Sequence, residues 1–291
     1  MHHTSTATRI KARLSPVVDG LAELTKTVSI RRMERGSGLV VYLAPDYYWG
    51  ELSAEQRAAQ LSLKRDYDAL SELLAILTCG APKAFVEQLQ DADKEFRIWL
   101  ELGHSNNWSL SSNRATNEVE LRAAARKLEP ILDVLDKTGN SKVMLVPDTN
   151  SLLAVADPAK YRSVAGNSSF TFMLLPTVLG ELDRLKVEHR NDDVREKAKK
   201  VITRIKGWRK QGSLMSGVTV DRSITVRAAH SEPDMKATLS WLDANIQDDR
   251  IVASVLALQS EQPSACIVLV TGDINLQNKA DAALIATAEV P

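Results

Sequence analysis

Two short apolar segments, each leading to an aspartate, constrain the fold of this chain most strongly. The first is residues 143–147, followed at once by Asp148, and the second is residues 267–270, separated from Asp273 by two residues. A short apolar run bounded by turn-forming residues is typical of a buried strand in a parallel sheet. Ligands of such sheets bind beyond the carboxyl ends of the strands, where both aspartates would lie.

The surrounding sequence alternates between strand-like and helix-like segments. Pro176 stands where a helix would begin, and Asp248 opens a segment with apolar residues at helical spacing. Short apolar strands that alternate with helices predict an α/β fold with a parallel sheet covered on both faces. The predicted strands are residues 143–147, 169–175, 218–220, 224–226 and 267–270, and the predicted helices begin at Pro176, Val194, Asp248 and near Leu276.

The first 140 residues have a different, mainly helical character. Ser53 and Gln56 fit a capping box, Pro130 could kink the last helix of this part, and the polar residues 138–141 are the predicted domain boundary. The sequence thus predicts a mainly α-helical domain at 1–140 and an α/β domain at 141–291. Helices are predicted at 9–30, 53–77, 82–102 and 118–137, with a break at 36–38, a short strand at 39–43 and a loop at 103–117.

Composition excludes several classes of protein. Formal net charge is zero, so whole-chain charge cannot drive nucleic-acid binding, although a local basic patch still could. Cys79 and Cys266 lie far apart without metal or redox spacing, which predicts two buried, reduced thiols. Because no stretch approaches the roughly 18 apolar residues of a membrane span and no signal peptide is visible, we expect a soluble cytoplasmic protein without membrane partners.

Four acidic residues occur at strand ends or in the first two turns of helices: Asp148, Glu181, Asp248 and Asp273. In a parallel sheet these positions share one edge, so the four carboxylates would converge. Their repulsion would be relieved by Mg²⁺ or Mn²⁺, which prefer oxygen ligands and can activate water beside a phosphate. We therefore hypothesise metal-assisted phosphodiester hydrolysis. Taken singly, each acid also has a purely structural explanation as a helix cap, a turn residue or a partner of a helix dipole.

The sequence around these acids resembles the PIN-domain nucleases over residues 141–291, about half of the chain. The resemblance is greatest to the branch that includes the PIN domains of PhoH-like proteins and of eukaryotic RNA-decay nucleases. The similar motifs are Val-Pro-Asp148-Thr-Asn150, the segment from Pro176 through Glu181 to Lys186, Gln247-Asp248-Asp249-Arg250-Ile251-Val252, and Val270-Thr271-Gly-Asp273-Ile-Asn275-Leu276-Gln-Asn-Lys279-Ala. It is their joint order and element context that make the resemblance specific.

The resemblance implies an α/β/α sandwich around a parallel sheet of about five strands, and Mg²⁺- or Mn²⁺-dependent endoribonuclease activity. In the third motif Asp248 fits the family pattern better, and Asp249 could contribute. The family does not account for residues 1–140, and no G-x-x-x-x-G-K-[ST] motif is present for a PhoH-type ATPase. The implied metal ligands are Asp148, Glu181, Asp248, Asp273 and Asp249, with Asn150, Thr271 and Asn275 as supporting polar groups.

A local basic segment is hidden by the neutral net charge. Residues 195–210 carry eight lysines and arginines against one acid, Glu196, with apolar residues at helical spacing between them. Such a helix would pack its apolar side on the fold and expose basic residues to a phosphate backbone, or simply to solvent. The predicted nucleic-acid-binding residues are Lys197, Lys200, Arg204, Arg250 and Lys279.

Three functions remain open from the sequence. The first is a metal-dependent ribonuclease that acts on RNA, with single-stranded RNA as the favoured substrate. The second is a non-catalytic PIN module that binds RNA or protein, and the third is a structure-specific DNA nuclease. The helical domain could orient the nuclease, hold a homo-oligomer together or receive a regulatory protein.

Overall fold

A computed structural model of the chain describes residues 4–33, 46–102, 110–137 and 142–290. The chain divides into two compact units, one of residues 10–134 and one that joins the residues from 135 onwards to those before residue 10. The predicted boundary at 138–141, the predicted break at 36–38 and the predicted strand at 39–43 lie outside the described residues. The division at residue 140 therefore stays a prediction.

Residues 10–134 form a mainly helical unit, as predicted. Its core includes Tyr67, whose ring lies 4.6 Å from that of Phe96 and whose hydroxyl donates to Asp93 at 3.0 Å. Arg97 donates to the same carboxylate at 2.7 Å. Burial, with a smaller contribution from the charge of Asp93, raises the pKa of Tyr67. The elements from the N-terminus are α1 (Thr6–Thr27), β1 (Ile30–Arg32), β2 (Tyr47–Trp49), α2 (Ala54–Leu77), α3 (Lys83–Leu100), α4 (Arg114–Arg126) and α5 (Glu129–Lys137).

The structure tests several local predictions for residues 10–134. Ser53 and Gln56 form the predicted capping box at the start of α2. The single helix predicted at 118–137 is wrong, because α4 ends before Pro130, which lies in the first turn of α5, where its missing N–H is tolerated. Helix α4 also begins earlier than predicted, because the Asn113 side chain caps it by accepting from the backbone N–H of Ala115 at 2.9 Å. Cys79 is exposed rather than buried, because it follows α2 in a turn.

The second unit alternates strands and helices, as predicted. Within the described ranges, no helix is both long and apolar enough to cross a membrane. The elements are β3 (Val143–Pro147), α6 (Thr149–Ala154), a 3-10 helix (Pro158–Tyr161), α7 (Arg162–Ala165), β4 (Phe170–Leu174), α8 (Pro176–Glu188), α9 (Asp192–Gln211), β5 (Val218–Val220), β6 (Ile224–Ala228), a second 3-10 helix (Met235–Ala237), α10 (Gln247–Glu261), β7 (Cys266–Val270), α11 (Ile274–Ala282) and β8 (Ala286–Ala288).

The six strands of this unit form one sheet in the order β5-β6-β4-β3-β7-β8. The five strands from β6 to β8 are mutually parallel, and β5 pairs antiparallel with β6 at one edge. The α/β class with a central, mostly parallel sheet flanked by helices is thus confirmed. Strand β8 was not predicted, because its three residues, Ala-Thr-Ala, include no large apolar side chain.

The register of the two central strands positions the residues that follow them. Pro147 of β3 pairs with Val270 of β7, and all five residues of β7 are buried. Asp148 and Thr271 therefore leave the sheet side by side. The backbone N–H of Asp148 donates to the carbonyl of Val270 at 3.0 Å, so the pairing continues to the point where the strands end.

The first described residues of the chain belong with the α/β unit. The Arg9 guanidinium donates from Nε to the carbonyl of Leu284 at 2.7 Å and from Nη1 to that of Thr4 at 2.6 Å. Ser5 donates from its hydroxyl to the Asp136 carboxylate. Burial lowers the pKa of Arg9. No sequence pattern predicted that this short segment would be part of the α/β unit.

Candidate functional site at the carboxyl edge of the sheet

Asp148 is held by hydrogen bonds to both oxygens of its buried carboxylate. Its side chain is the N-cap of α6, where Oδ1 accepts from the backbone N–H of Ser151 at 2.7 Å. Oδ2 accepts from the hydroxyl of Thr271 at 2.6 Å. The residue is only 4% exposed, so these two donors fix the orientation of the carboxylate. The capping interpretation of Asp148 is therefore correct, and it does not conflict with a role as a ligand.

Thr271 links Asp148 to the turn that carries Asp273. The fully buried Thr271 hydroxyl donates to Asp148 and accepts from the backbone N–H of Asp273 at 3.0 Å. Asp273 is exposed and caps α11, because its Oδ1 accepts from the backbone N–H groups of Asn275 and Leu276 at 2.8 and 3.3 Å. One hydroxyl thus couples the ends of β3 and β7. The Asn275 side chain is exposed, as is that of Asn150 in the first turn of α6.

Glu181 of α8 connects the turn after β3 with the start of α10. Its carboxylate accepts from the hydroxyl of Thr149 and from the side-chain amide of Gln247, and Arg184 lies 3.9 Å away. Thr149 directly follows Asp148, and Gln247 directly precedes Asp248. Neither was predicted as a site residue, although each lies beside an acid within one of the PIN-like motifs.

Asp248 and Asp249 share one cation, Lys279 of α11. The Lys279 ammonium lies 2.7 Å from Oδ1 of Asp249 and 3.5 Å from Oδ2 of Asp248. Asp249 is 3% exposed, and its Oδ2 accepts from the backbone N–H of Asp243 at 2.9 Å. Burial opposes the charge on Lys279, but hydrogen bonding and attraction to Asp249, and then to Asp248, raise its pKa above the ordinary value.

The chemistry of this donor set fits a hard divalent cation, because the predicted ligands are all carboxylates. Hydrogen bonds join the turn after β3 to the turn after β7 and to the start of α10. Within the described ranges, however, no three His, Cys, Asp or Glu residues are arranged so that they could hold a metal ion. Instead, the carboxylates accept hydrogen bonds from backbone and side-chain donors. The Lys279 ammonium offsets part of the charge of Asp248 and Asp249.

The basic segment forms helix α9, with the predicted apolar side buried. Lys197, Lys200 and Arg204 lie on one flank, because their spacing of three and four residues returns to the same side of a helix. Lys197 lies 3.0 Å from Asp193, and Arg204 lies 3.3 Å from Asp157. In the part of the chain that the structure describes, Lys200 has no acidic partner within 4.0 Å.

Arg250 is less available to nucleic acid than predicted. Its Nη1 donates to the carbonyl of Ala244 at 3.1 Å, and its Nε lies 3.5 Å from Glu232. Glu232 also accepts from the hydroxyl of Thr177 at 2.6 Å, at the start of α8. Arg250 therefore connects α10 with the loop after β6. Its role in nucleic-acid binding stays a prediction.

A family model described as PIN domain matches residues 145–290, just over half of the 291 residues. The matched segment contains all four predicted acids and Lys279. The comparison with curated proteins gives no match. The resemblance to the PhoH-like branch stays a prediction, because the description of the matching model names no branch of the family.

Proposed function

The chain belongs to the PIN-domain family, whose members are generally nucleases, and from this premise we propose that it is a divalent-metal-dependent endoribonuclease acting on single-stranded RNA. The observation that carries the proposal is the hydrogen-bonded link from Asp148 through Thr271 to the turn of Asp273. A buried threonine that binds one acid and the backbone of another is suited to positioning both for a shared ligand.

The proposed chemistry divides between a metal ion and the residues around it. Asp148, Glu181, Asp273 and the pair Asp248–Asp249 would hold Mg²⁺ or Mn²⁺, which when bound would supply charge neutralisation and an activated water. Ser151 and Thr271 fix the orientation of the Asp148 carboxylate. Thr149 and Gln247 orient Glu181 in the same way.

A substrate panel tests this proposal directly. We expect purified full-length protein to cut labelled single-stranded RNA internally with Mn²⁺ or Mg²⁺, and EDTA to abolish the cutting. Single-stranded DNA and a DNA flap are the matched substrates, each offered at the same length and salt. Preferential cutting of the flap would support a structure-specific DNA nuclease instead of a ribonuclease.

A non-catalytic PIN module is the second candidate function. The observation that favours it is that these carboxylates already have partners within the protein. Asp249 forms an ion pair with Lys279, and Glu181 accepts hydrogen bonds from Thr149 and Gln247. Such a module would bind RNA or a protein without cutting. RNA binding at moderate salt, together with no cleavage in either metal, would support this candidate against the nuclease.

The exposed flank of α9 supports a nucleic acid as the substrate. Lys197, Lys200 and Arg204 lie on a helix that packs against α6, whose first turn contains Thr149, and against α8, whose second turn contains Glu181. A phosphate backbone running along this flank would therefore lie beside two of the helices that carry site residues. Salt dependence should accompany such binding, because lysine and arginine release counter-ions from the phosphates they neutralise.

Replacing these three residues with glutamine should weaken RNA binding specifically. For K197Q/K200Q/R204Q in EDTA we expect about tenfold weaker single-stranded RNA binding, and a log–log salt slope shallower by about 2, because about 0.7 counter-ion per phosphate is lost. The matched control is K199Q/K206Q/K210Q, which removes the same charge from the other flank of α9. Equal weakening by both triple variants in a fluorescence-anisotropy titration would contradict a single RNA-binding flank.

A further inference from the structure

Lys279 balances the two acids at the start of α10. Its ammonium contacts both Asp249 and Asp248, and within the described residues no other cation lies within 4.0 Å of either carboxylate. The side chain of Asp249 is 4% exposed, whereas that of Lys279 is 28% exposed. The carboxylate is therefore fixed inside the protein, and the cation reaches it from the surface.

A buried carboxylate without a positive partner is strongly unfavourable, and a like-charged neighbour makes it worse. Asp248 is the neighbour of Asp249 in sequence, and both carboxylates lie within 4.0 Å of the same Lys279 ammonium. A single ammonium offsets only one of the two negative charges. The two aspartates and Lys279 together thus keep a net negative charge, which still attracts a further cation.

The position of Lys279 also ties it to the rest of the candidate site. Helix α11 begins at the turn of Asp273, whose backbone N–H donates to Thr271, and Lys279 lies in the last turn of the same helix. An ordinary surface ion pair would join two exposed side chains. Here the lysine instead contacts one buried and one half-buried acid, both among the proposed metal ligands.

We propose that Lys279 is a built-in counter-ion of Asp248 and Asp249, and that a divalent cation using these carboxylates must displace its ammonium group. The inference rests on the proposed function, since it assigns Lys279 a role at the proposed metal site. It has two consequences. Lys279 keeps the metal-free protein stable, and it lowers the affinity of the site for metal.

Mn²⁺ binding without RNA tests this inference. Isothermal titration of chelator-stripped full-length protein compares the wild type with K279M and K279Q, which remove the charge, and with K279R, which retains it. We expect K279M and K279Q to bind Mn²⁺ at least tenfold more tightly, about 1.4 kcal/mol, and K279R to bind like the wild type. The control is K142M, an exposed lysine just before β3, at the opposite edge of the sheet, which should leave the affinity unchanged.

Thermal unfolding gives a second readout that does not depend on cleavage. In EDTA, K279M should unfold at a lower temperature than the wild type, because Asp249 loses its partner. Saturating Mn²⁺ should restore most of the loss, so that the metal-induced rise in Tm is larger for K279M than for the wild type. If K279M is too unstable to purify, K279Q still supports the titration, because its amide can donate to Asp249.

The outcomes separate this inference from the proposed function. Equal Mn²⁺ affinity in wild type, K279Q and K279R would overturn the counter-ion role and leave a metal-dependent nuclease intact. Absence of Mn²⁺ binding in every variant up to millimolar metal would overturn both. Tighter binding by K279Q in a protein that cuts no RNA would support the counter-ion role and reject the proposed function.

Discussion

Changing Asp148 to asparagine should remove metal-dependent RNA cleavage while leaving the protein folded. The substitution removes the charge of a buried proposed ligand that has a donor on each oxygen, and we expect cleavage to fall by about 10³-fold, which is about 4 kcal/mol of transition-state stabilisation. The fold should tolerate it, because asparagine is as good an N-cap as aspartate. The Asn oxygen can keep the bond from Ser151, and its amide can donate to Thr271, whose hydroxyl also accepts.

Asp234→Asn provides the matched control for this substitution. Asp234 is also an N-cap, since its side chain accepts from the backbone N–H of Lys236 at 3.0 Å, but it is exposed and caps the second 3-10 helix. Single-turnover cleavage and thermal unfolding of both variants should show a large loss of activity only for D148N, with Tm changes of a few degrees in both. Wild-type cleavage by D148N would exclude the proposed site.

Local patterns in the sequence sufficed to predict the elements that build the candidate site. The apolar runs at β3 and β7 are short, continuous and bounded by turn residues, and this pattern is typical of strands buried on both faces. Pro176 marked the first helical residue of α8, as expected for a residue whose missing N–H costs nothing there. Because parallel strands end at a common edge, the neighbourhood of Asp148 and Asp273 followed from the topology alone.

Contacts between side chains far apart in sequence were harder to predict. The pairing of Lys279 with Asp249 depends on how α11 packs beside α10, and the bond between Arg9 and Leu284 joins residues 275 positions apart. Neither contact leaves a periodic pattern in the sequence. The break between α4 and α5 was missed for another reason, because helical periodicity continues across Lys127 and Leu128 even though the helix does not.

The same geometry explains why structural and chemical interpretations of the acids need not compete. Asp148 and Asp273 both cap helices through one carboxylate oxygen, Oδ1. A cap uses one of the lone pairs of the carboxylate and fixes its direction, and other lone pairs remain for a second partner. Capping therefore preorganises an acid rather than consuming it, and for Asp148 the second partner is Thr271.

Changing Thr271 to valine should damage both stability and cleavage, because it removes a buried hydroxyl with two partners. Asp148 would lose a donor and the Asp273 backbone N–H would lose its acceptor. We expect the free energy of unfolding to fall by about 2–3 kcal/mol, since one oxygen of the buried Asp148 carboxylate loses its donor and a backbone N–H loses its acceptor. Cleavage should fall by about 100-fold, because small displacements of positioned groups have effects of this size. Denaturant unfolding and single-turnover kinetics measure the two losses.

Two further measurements distinguish a positioning role of Thr271 from a loss of folding. Thr271→Ser keeps the hydroxyl and should recover cleavage to within about threefold of the wild type, because it restores both hydrogen bonds. In T271V, assayed well below its unfolding temperature, kcat should fall while RNA affinity in EDTA stays unchanged, since the RNA-binding flank of α9 is not altered. A parallel loss of RNA affinity and kcat would indicate a general structural defect, because a hydroxyl that only orients Asp148 and Asp273 has no means of weakening RNA binding on α9.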